Sequence, residues 1–257
     1  MMSIDYQLTG ILLAMLLTVR YFVERNKDRY PAAINFFKVF WFLGCSINEY
    51  LILFKQPFKP PFFGGEYSVD GYQHDDVVNS IYASGLAFHL HNTITSFFVP
   101  ETRAMYIHHV VTLSLILGSA YHGATCMGSF VLFVHNVPDV FIALAKASTK
   151  FDSKIFTYAS GILALVSWPI FRLYFLGHIA IFTYYNFHTT PAALRVYVGL
   201  LCALLALHLY WYALLVKIFL SFKASGEALD TSEHVSQQHL QSTMKDKTSK
   251  KKKKKTT

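Results

Sequence analysis

The sequence predicts an all-α, polytopic membrane protein with about seven transmembrane helices. Of its 257 residues, 53% are hydrophobic and only 15% are charged, which is too apolar for an ordinary soluble domain. A membrane span needs about 20 mostly apolar residues, and seven stretches have a suitable length. They cover residues 4–22, 34–54, 77–99, 104–121, 124–145, 155–181 and 194–222.

The first stretch is predicted to be a retained anchor rather than a cleaved signal peptide. No basic residue precedes it, whereas its C-terminal flank carries Arg20, Arg25, Lys27 and Arg29. Basic flanks stay on the cytosolic side, so we expect a lumenal N-terminus. Residues 1–31 are therefore interpreted as one anchor with a basic cytosolic flank.

The later connections agree with this orientation. The long connection between the second and third spans carries more acidic than basic residues, as expected for a lumenal segment. The connection after the fifth span holds Lys146, Lys150 and Lys154 and is predicted to be cytosolic. An odd number of spans then leaves the C-terminus in the cytosol.

Residues 223–257 form a polar tail that is predicted to be disordered. Lys254 and Lys255, at the fourth and third places from the end, resemble the dilysine signal by which coat proteins retrieve membrane proteins of the endoplasmic reticulum. The alternative is a basic cluster that contacts anionic lipid headgroups. Nucleic-acid binding does not explain the tail, because no basic fold with interleaved aromatic residues surrounds it.

Polar side chains concentrate in the fourth and fifth spans, where ionisable residues indicate function. "MYIHHVVTLSL" and "FVLFVHNVPDVFIALAK" hold His108, His109, Thr112, His135, Asn136, Asp139 and Lys146. His135 and Asp139 are four residues apart and share one helix face. Counted from the predicted cytosolic edge, the histidine pair and Asp139 have similar depth, so we expect one polar pocket that opens to the cytosol.

The remaining histidines are interpreted singly as hydrogen-bonding contacts between helices, namely His74, His89, His91, His122, His178, His188 and His208. No metal is predicted, because "FHLHN" and "IHHVV" lack the histidine spacing of membrane iron enzymes. The three cysteines show no CxxC spacing, which argues against a disulfide framework or a cysteine zinc site.

The two central motifs resemble the signature of the TLC-domain membrane proteins, specifically the ceramide synthases or longevity-assurance homologues. "IHHVVTLSL" is followed some twenty residues later by "VLFVHNVPDVFIALAK". "WPIFRLYF" with Arg172 and "ALHLYWYALLVKIF" with His208 and Trp211 resemble later spans of that family. The resemblance implies a TLC domain over residues 32–222, in which six helices form the bundle.

The resemblance implies transfer of a fatty acyl group from acyl-CoA to the amine of a sphingoid base, with no cofactor besides the acyl-CoA co-substrate. His108, His109, His135 and Asp139 match the catalytic positions. Asn136 and Ala143 depart from the pattern, which has carboxylates at both places. The residues expected to bind substrates are Asn136, Thr112, Arg103, Lys146 and Arg172.

Two mechanisms fit these residues. One histidine acts as general base toward the amine, or one attacks the thioester and forms an acyl-imidazole. Asp139 is expected to orient an imidazole. The expected partners are both substrates, the bilayer and a second chain in a homo- or hetero-dimer.

A TLC-domain protein without this activity, acting in lipid sensing, trafficking or translocation, is the alternative function. A transporter is disfavoured, because no paired broken helices or inverted repeat is visible.

Overall fold

The structure is a computed structural model that describes residues 4–55, 76–99, 101–122, 125–151, 153–186 and 191–225. These residues are helical almost throughout, which confirms the all-α fold class. The tail with Lys254 and Lys255 lies outside the described residues, as do His74 and His188.

Seven helical rods follow one another in the described part of the chain, as predicted. The sixth predicted span is one rod made of two α-helices joined by a π-helical segment. The elements are α1 Tyr6–Arg25, α2 Ala33–Lys55, α3 Asp76–Ser96, α4 Arg103–Tyr121, α5 Thr125–Ser148, α6 Lys154–Trp168, the π segment Pro169–Phe175, α7 Leu176–Asn186 and α8 Pro191–Ser225.

Five rods are long and apolar enough to cross a bilayer, so the chain is a polytopic membrane protein. They cover Tyr6–Arg25, Arg103–Tyr121, Met127–Ser148, Lys154–Tyr185 and Arg195–Ser225. The other two rods, α2 and α3, have 23 and 21 residues and include polar side chains within their sequences. Some of these polar residues, such as Glu49 and His91, are buried inside the protein.

Local side chains fix where several helices begin. Asp5 accepts a hydrogen bond from the Leu8 backbone N–H at the start of α1. Thr102 and Ser153 do the same at the starts of α4 and α6. Such caps satisfy backbone donors that have no partner within the helix. The short connections before α5 and α6 make consecutive helices antiparallel.

Helix α5 is the central helix of the bundle. Its apolar side chains enter all three hydrophobic clusters: Val134 packs with α4, α7 and α8, Leu132 with α3 and α4, and Ala143 with α1, α2 and α3. The polar residues of α5 therefore also meet neighbours on several sides.

The π segment begins at Pro169, which has no backbone N–H to donate to the preceding turn. Single-turn π segments are frequent at functional sites because they change the direction in which side chains leave a helix. Here the segment carries Arg172, whose exposure is only 5%, into the interior of the bundle.

We expect Gly128→Ala to destabilise the protein by about 1–3 kcal/mol, because overpacking distorts a close contact. An added Cβ would overlap the Tyr82 hydroxyl, which is hydrogen-bonded to Ser119 and to the Thr125 carbonyl. Thermal unfolding in detergent should show a lower melting temperature. Gly199→Ala is the control, since nothing lies within 4 Å of its added Cβ; equal melting temperatures for the two variants would contradict the packing described.

Candidate functional site

Four helices bring five imidazole rings together, and His108 lies at the centre of the group. The ring centroid of His108 lies 5.3 Å from the ring of Trp211, which stands edge-on to it. The other histidine rings lie 5.9 to 6.5 Å from His108. This histidine cluster consists of His89 on α3, His108 and His109 on α4, His135 on α5 and His208 on α8.

His135 and His208 form a hydrogen bond that fixes the tautomers of both rings. His135 Nδ1 lies 2.6 Å from the Val131 carbonyl oxygen and must donate a proton to it. In the neutral ring, His135 Nε2 therefore accepts from His208 Nε2 at 2.8 Å. His208 Nδ1 keeps a buried lone pair that has no hydrogen-bond partner among the described residues.

His135, which is predicted to be catalytic from the sequence, has both ring nitrogens engaged, one with the Val131 carbonyl and one with His208. This hydrogen bond orients His208, which is fully buried.

His109 is oriented by a carboxylate that precedes its own helix. Glu101 Oε2 lies 2.9 Å from His109 Nε2, and the two side chains are 28% and 4% exposed. Toward an ionised carboxylate, Nε2 donates, so Nδ1 carries the lone pair. That Nδ1 is buried and has no partner within the ranges that the structure describes. A histidine held in this way is suited to accept a proton.

Asp139, which is expected from the sequence to orient an imidazole, is paired with Arg172 in the structure. Its Oδ1 lies 2.6 Å from Arg172 Nη2, which also donates to the His135 carbonyl at 3.0 Å. The Arg172 guanidinium lies 4.3 Å above the Trp168 ring. Arg172, expected to bind substrate, thus joins the π segment to α5. The oriented histidine is His109, and the carboxylate is Glu101.

Asn136 finds a carboxyl group on another helix. Its Nδ2 donates to Glu49 Oε1 on α2 at 2.7 Å, and Glu49 is only 3% exposed. The resemblance implies an aspartate where this chain has Asn136, and in the structure α2 places the Glu49 carboxyl group beside this residue. Glu49 was not predicted as a site residue, although an acidic residue within a predicted span is itself an indication of function.

Of the remaining predicted residues, Thr112 lies at the histidine cluster and the others lie at the two ends of the bundle. The Thr112 hydroxyl lies 3.4 Å from His108 Nδ1. Arg103 and Lys146 are exposed at the end of the bundle where α4 begins and α5 finishes. His122 lies at the opposite end, where its Nδ1 is hydrogen-bonded to Tyr197 Oη at 2.6 Å, in agreement with its interpretation as a helix contact.

Two histidines interpreted as isolated helix contacts belong to the cluster. His89 and His208 lie on other helices than the two central motifs, so spacing in the sequence did not connect them with His108. The segment "ALHLYWYALL" offered a signal, because it resembles a family span and contains His208 and Trp211.

A narrow apolar cavity adjoins the cluster. Its volume is about 60 Å³, where one water molecule would occupy roughly 10–15 Å³. His89, Thr112 and His135 line one end, and Ser119 lies two helical turns further along α4, roughly 10 Å away. The walls between them are formed by Leu115, Ile116, Val131, Leu132, Leu201 and Leu204. The cavity therefore has room for a short apolar group beside the imidazoles.

A metal centre is not apparent in the described ranges, where no three histidine, cysteine, aspartate or glutamate side chains form a metal-binding group. The close histidine pair is accounted for by its hydrogen bond.

Residues 32–217 match the family model of the TLC domain. The chain is 33% identical over 122 residues to ceramide synthase 1 LOH3 of Arabidopsis thaliana, covering 43% of this chain and 40% of that protein. It is 32% identical over 122 residues to ASC1-like protein 1 of Oryza sativa subsp. japonica, with the same two coverages. It is 29% identical over 150 residues to ceramide synthase hyl-2 of Caenorhabditis elegans, covering 53% of this chain and 46% of that protein. The matched segment thus spans less than half the length of these relatives.

We expect Asn136→Asp to lower the free energy of unfolding by about 1–3 kcal/mol, because it removes the only amide donor from the contact with Glu49 and places two carboxyl groups together. Glu49→Gln should have a melting temperature near that of the parent protein, since an amide oxygen still accepts a hydrogen bond from Asn136. The double variant Glu49→Gln/Asn136→Asp restores an amide facing a carboxyl and should recover the melting temperature. Additive effects of the two substitutions would contradict a direct contact.

Proposed function

The chain belongs to the TLC-domain family, and from this premise we propose that it is a sphingoid base N-acyltransferase that uses acyl-CoA to form ceramide or dihydroceramide. The observation that carries the proposal is the histidine cluster at the end of an apolar cavity. Two of the relatives reported above bear the name ceramide synthase.

In this proposal the cavity holds the acyl-chain carbons next to the thioester, and His108 meets the thioester. Thr112, which lines the cavity, lies beside His108 Nδ1. His108 is half-buried, whereas His109 and His208 are buried. A reacting carbonyl group can therefore approach His108 more readily than either of those two rings.

The proposed reaction has two steps. An imidazole nitrogen of His108 attacks the thioester carbonyl carbon, the carbon–sulfur bond breaks, and CoA leaves as a thiolate that takes up the N–H proton given up by the acylated ring. The neutral amine nitrogen then attacks the acyl carbon, the bond from that carbon to His108 breaks, and the proton lost from the new amide nitrogen returns to His108. This sequence divides one difficult acyl transfer into two easier displacements.

His109 is proposed as the base of the second step. An amine is protonated near neutral pH and must lose a proton before it attacks, while the pKa of an unperturbed histidine is about 6.5. The lone pair on His109 Nδ1 accepts this proton, and Glu101 stabilises the imidazolium that forms. Glu101 is a positioning residue, because it acts through His109.

The polar groups around the cluster are proposed to position it. The ion pair between Arg172 and Asp139, together with the Arg172 bond to the His135 carbonyl, fixes the backbone next to the imidazoles. Arg103 and Lys146 are exposed cations at the end of the bundle nearest Glu101. They are suited to bind the phosphates of CoA, which approach from the cytosol in the proposed topology.

We propose the endoplasmic reticulum membrane as the location, with the N-terminus lumenal and the C-terminus cytosolic. This rests on the charge pattern of the connections and on Lys254 and Lys255.

In cells that lack their own ceramide synthases, the parent chain should restore ceramide, and His108→Ala/His109→Ala should not. Glu101→Gln should lower the rate by about 10–100-fold, because it removes the charge that stabilises the His109 imidazolium. His178→Ala is the matched control, since its ring contacts Tyr174 away from the cluster. Lipid mass spectrometry gives the ceramide level, and detergent gel filtration verifies that each variant is folded. Equal ceramide from the parent and the folded double variant would contradict these roles.

Exposure of the purified protein to acyl-CoA alone should produce an acyl-protein that hydroxylamine cleaves, together with one CoA released per site. The adduct should be absent from His108→Ala, because the proposed nucleophile is missing. Intact-protein mass spectrometry measures it. If CoA release requires both substrates and no adduct forms, the two-step route is wrong and a direct attack assisted by a general base replaces it.

A further inference from the structure

A second cleft, wider than the apolar cavity, lies between α1, α2 and α3. Its volume is about 430 Å³, and no residue of the histidine cluster lines it. Helix α1 packs mainly on α3 and makes few contacts with α2, which leaves the gap between α1 and α2. The cleft is therefore a cavity separate from the histidine cluster.

The cleft contains a buried carboxyl group that is only half satisfied. Glu49 lines it, and Glu49 Oε1 accepts from Asn136. The other oxygen, Oε2, is buried and has no hydrogen-bond partner among the described residues. A buried carboxyl oxygen without a donor is costly, and such an atom in a cavity needs an explanation. A ligand that donates a hydrogen bond to Oε2 would supply one.

The lining of the cleft has two chemical parts. Besides Glu49, the polar residues of the lining are Cys45, Asn48, Ser80 and Ser84. Leu8, Leu12 and Trp41 form an apolar part. On the same helix α2, Phe40 and Ile47 are 70% and 51% exposed, as expected for a surface that faces lipid. A ligand that fits both parts has a polar donor head and an apolar chain, and it enters from the bilayer.

We infer that the cleft binds the head of a lipid amine, whose ammonium group donates to Glu49 Oε2 while its chain lies along Leu8, Leu12 and Trp41. An ammonium group matches the site because it carries three donors and no acceptor, and it neutralises a carboxylate that would otherwise be an unpaired charge in a medium of low dielectric constant. Asn48 and the serine hydroxyls offer acceptors for its remaining hydrogens. A hydroxyl head donates only once and brings no compensating charge.

Trp41 provides a reporter for the test. A long-chain primary amine with bromine atoms on its chain quenches a nearby indole, and Trp41 lies in the cleft, whereas Trp168 and Trp211 adjoin His208. Titrated into the purified full chain in detergent, this amine should give saturable quenching whose amplitude falls in Trp41→Phe, and any quenching that remains reports Trp168 and Trp211 beside the histidine cluster. Phenylalanine preserves an aromatic ring against Phe88, with which Trp41 stacks at 5.8 Å.

Glu49→Gln should weaken the apparent affinity by about tenfold or more, because a charge-assisted hydrogen bond is lost while the bond from Asn136 is kept. The brominated alcohol of the same chain length should bind weakly to both proteins. His108→Ala/His109→Ala should keep the saturable quenching of Trp41, so failure of acyl transfer and failure of this inference give different results. Equal affinity for amine and alcohol, unchanged affinity in Glu49→Gln, or quenching of the same amplitude in Trp41→Phe as in the parent would each overturn the inference.

Discussion

The ion pair between Arg172 and Asp139 is the interaction on which the rest of the site depends. Arg172 Nη2 contacts the Asp139 carboxylate and the His135 carbonyl, so one buried guanidinium group holds the π segment against α5. Its plane lies over Trp168, whose indole N–H donates to the His208 carbonyl of α8. Three parts of the chain are thus joined where His135 meets His208. Removal of either charge would leave its partner buried and unpaired.

The apolar surroundings explain why the polar groups form pairs across helices. A polar side chain buried without a partner is costly in such surroundings, and several polar pairs join residues of different helices. They include Arg172–Asp139, His135–His208, Asn136–Glu49 and Tyr197–His122, whereas His109 pairs with Glu101, which directly precedes its own helix. Because α5 is central, its adjacent residues His135 and Asn136 serve different surroundings, the first at the histidine cluster and the second at the cleft lined by Glu49.

Sequence alone predicted the fold well, because membrane spans are set by local hydrophobicity and their length by the thickness of the bilayer. It also identified His108 and His109, since adjacent histidines in an apolar run are unusual. It did not predict that Glu101 holds His109, that Asp139 pairs with Arg172, or that Glu49 contacts Asn136. Most such pairs join helices distant in the sequence, and their register follows from packing and from the π segment rather than from spacing.

The central claim is that the histidine cluster transfers an acyl group to a membrane amine. Its most direct test is reconstitution of the purified full chain in liposomes with acyl-CoA and sphinganine, with free CoA and N-acyl product measured together. If the histidine cluster transfers the acyl group, the parent protein forms one amide for each CoA released. The folded His108→Ala/His109→Ala variant then gives neither product above background. Absence of amide from the folded parent protein, or equal amounts from both proteins, would contradict it.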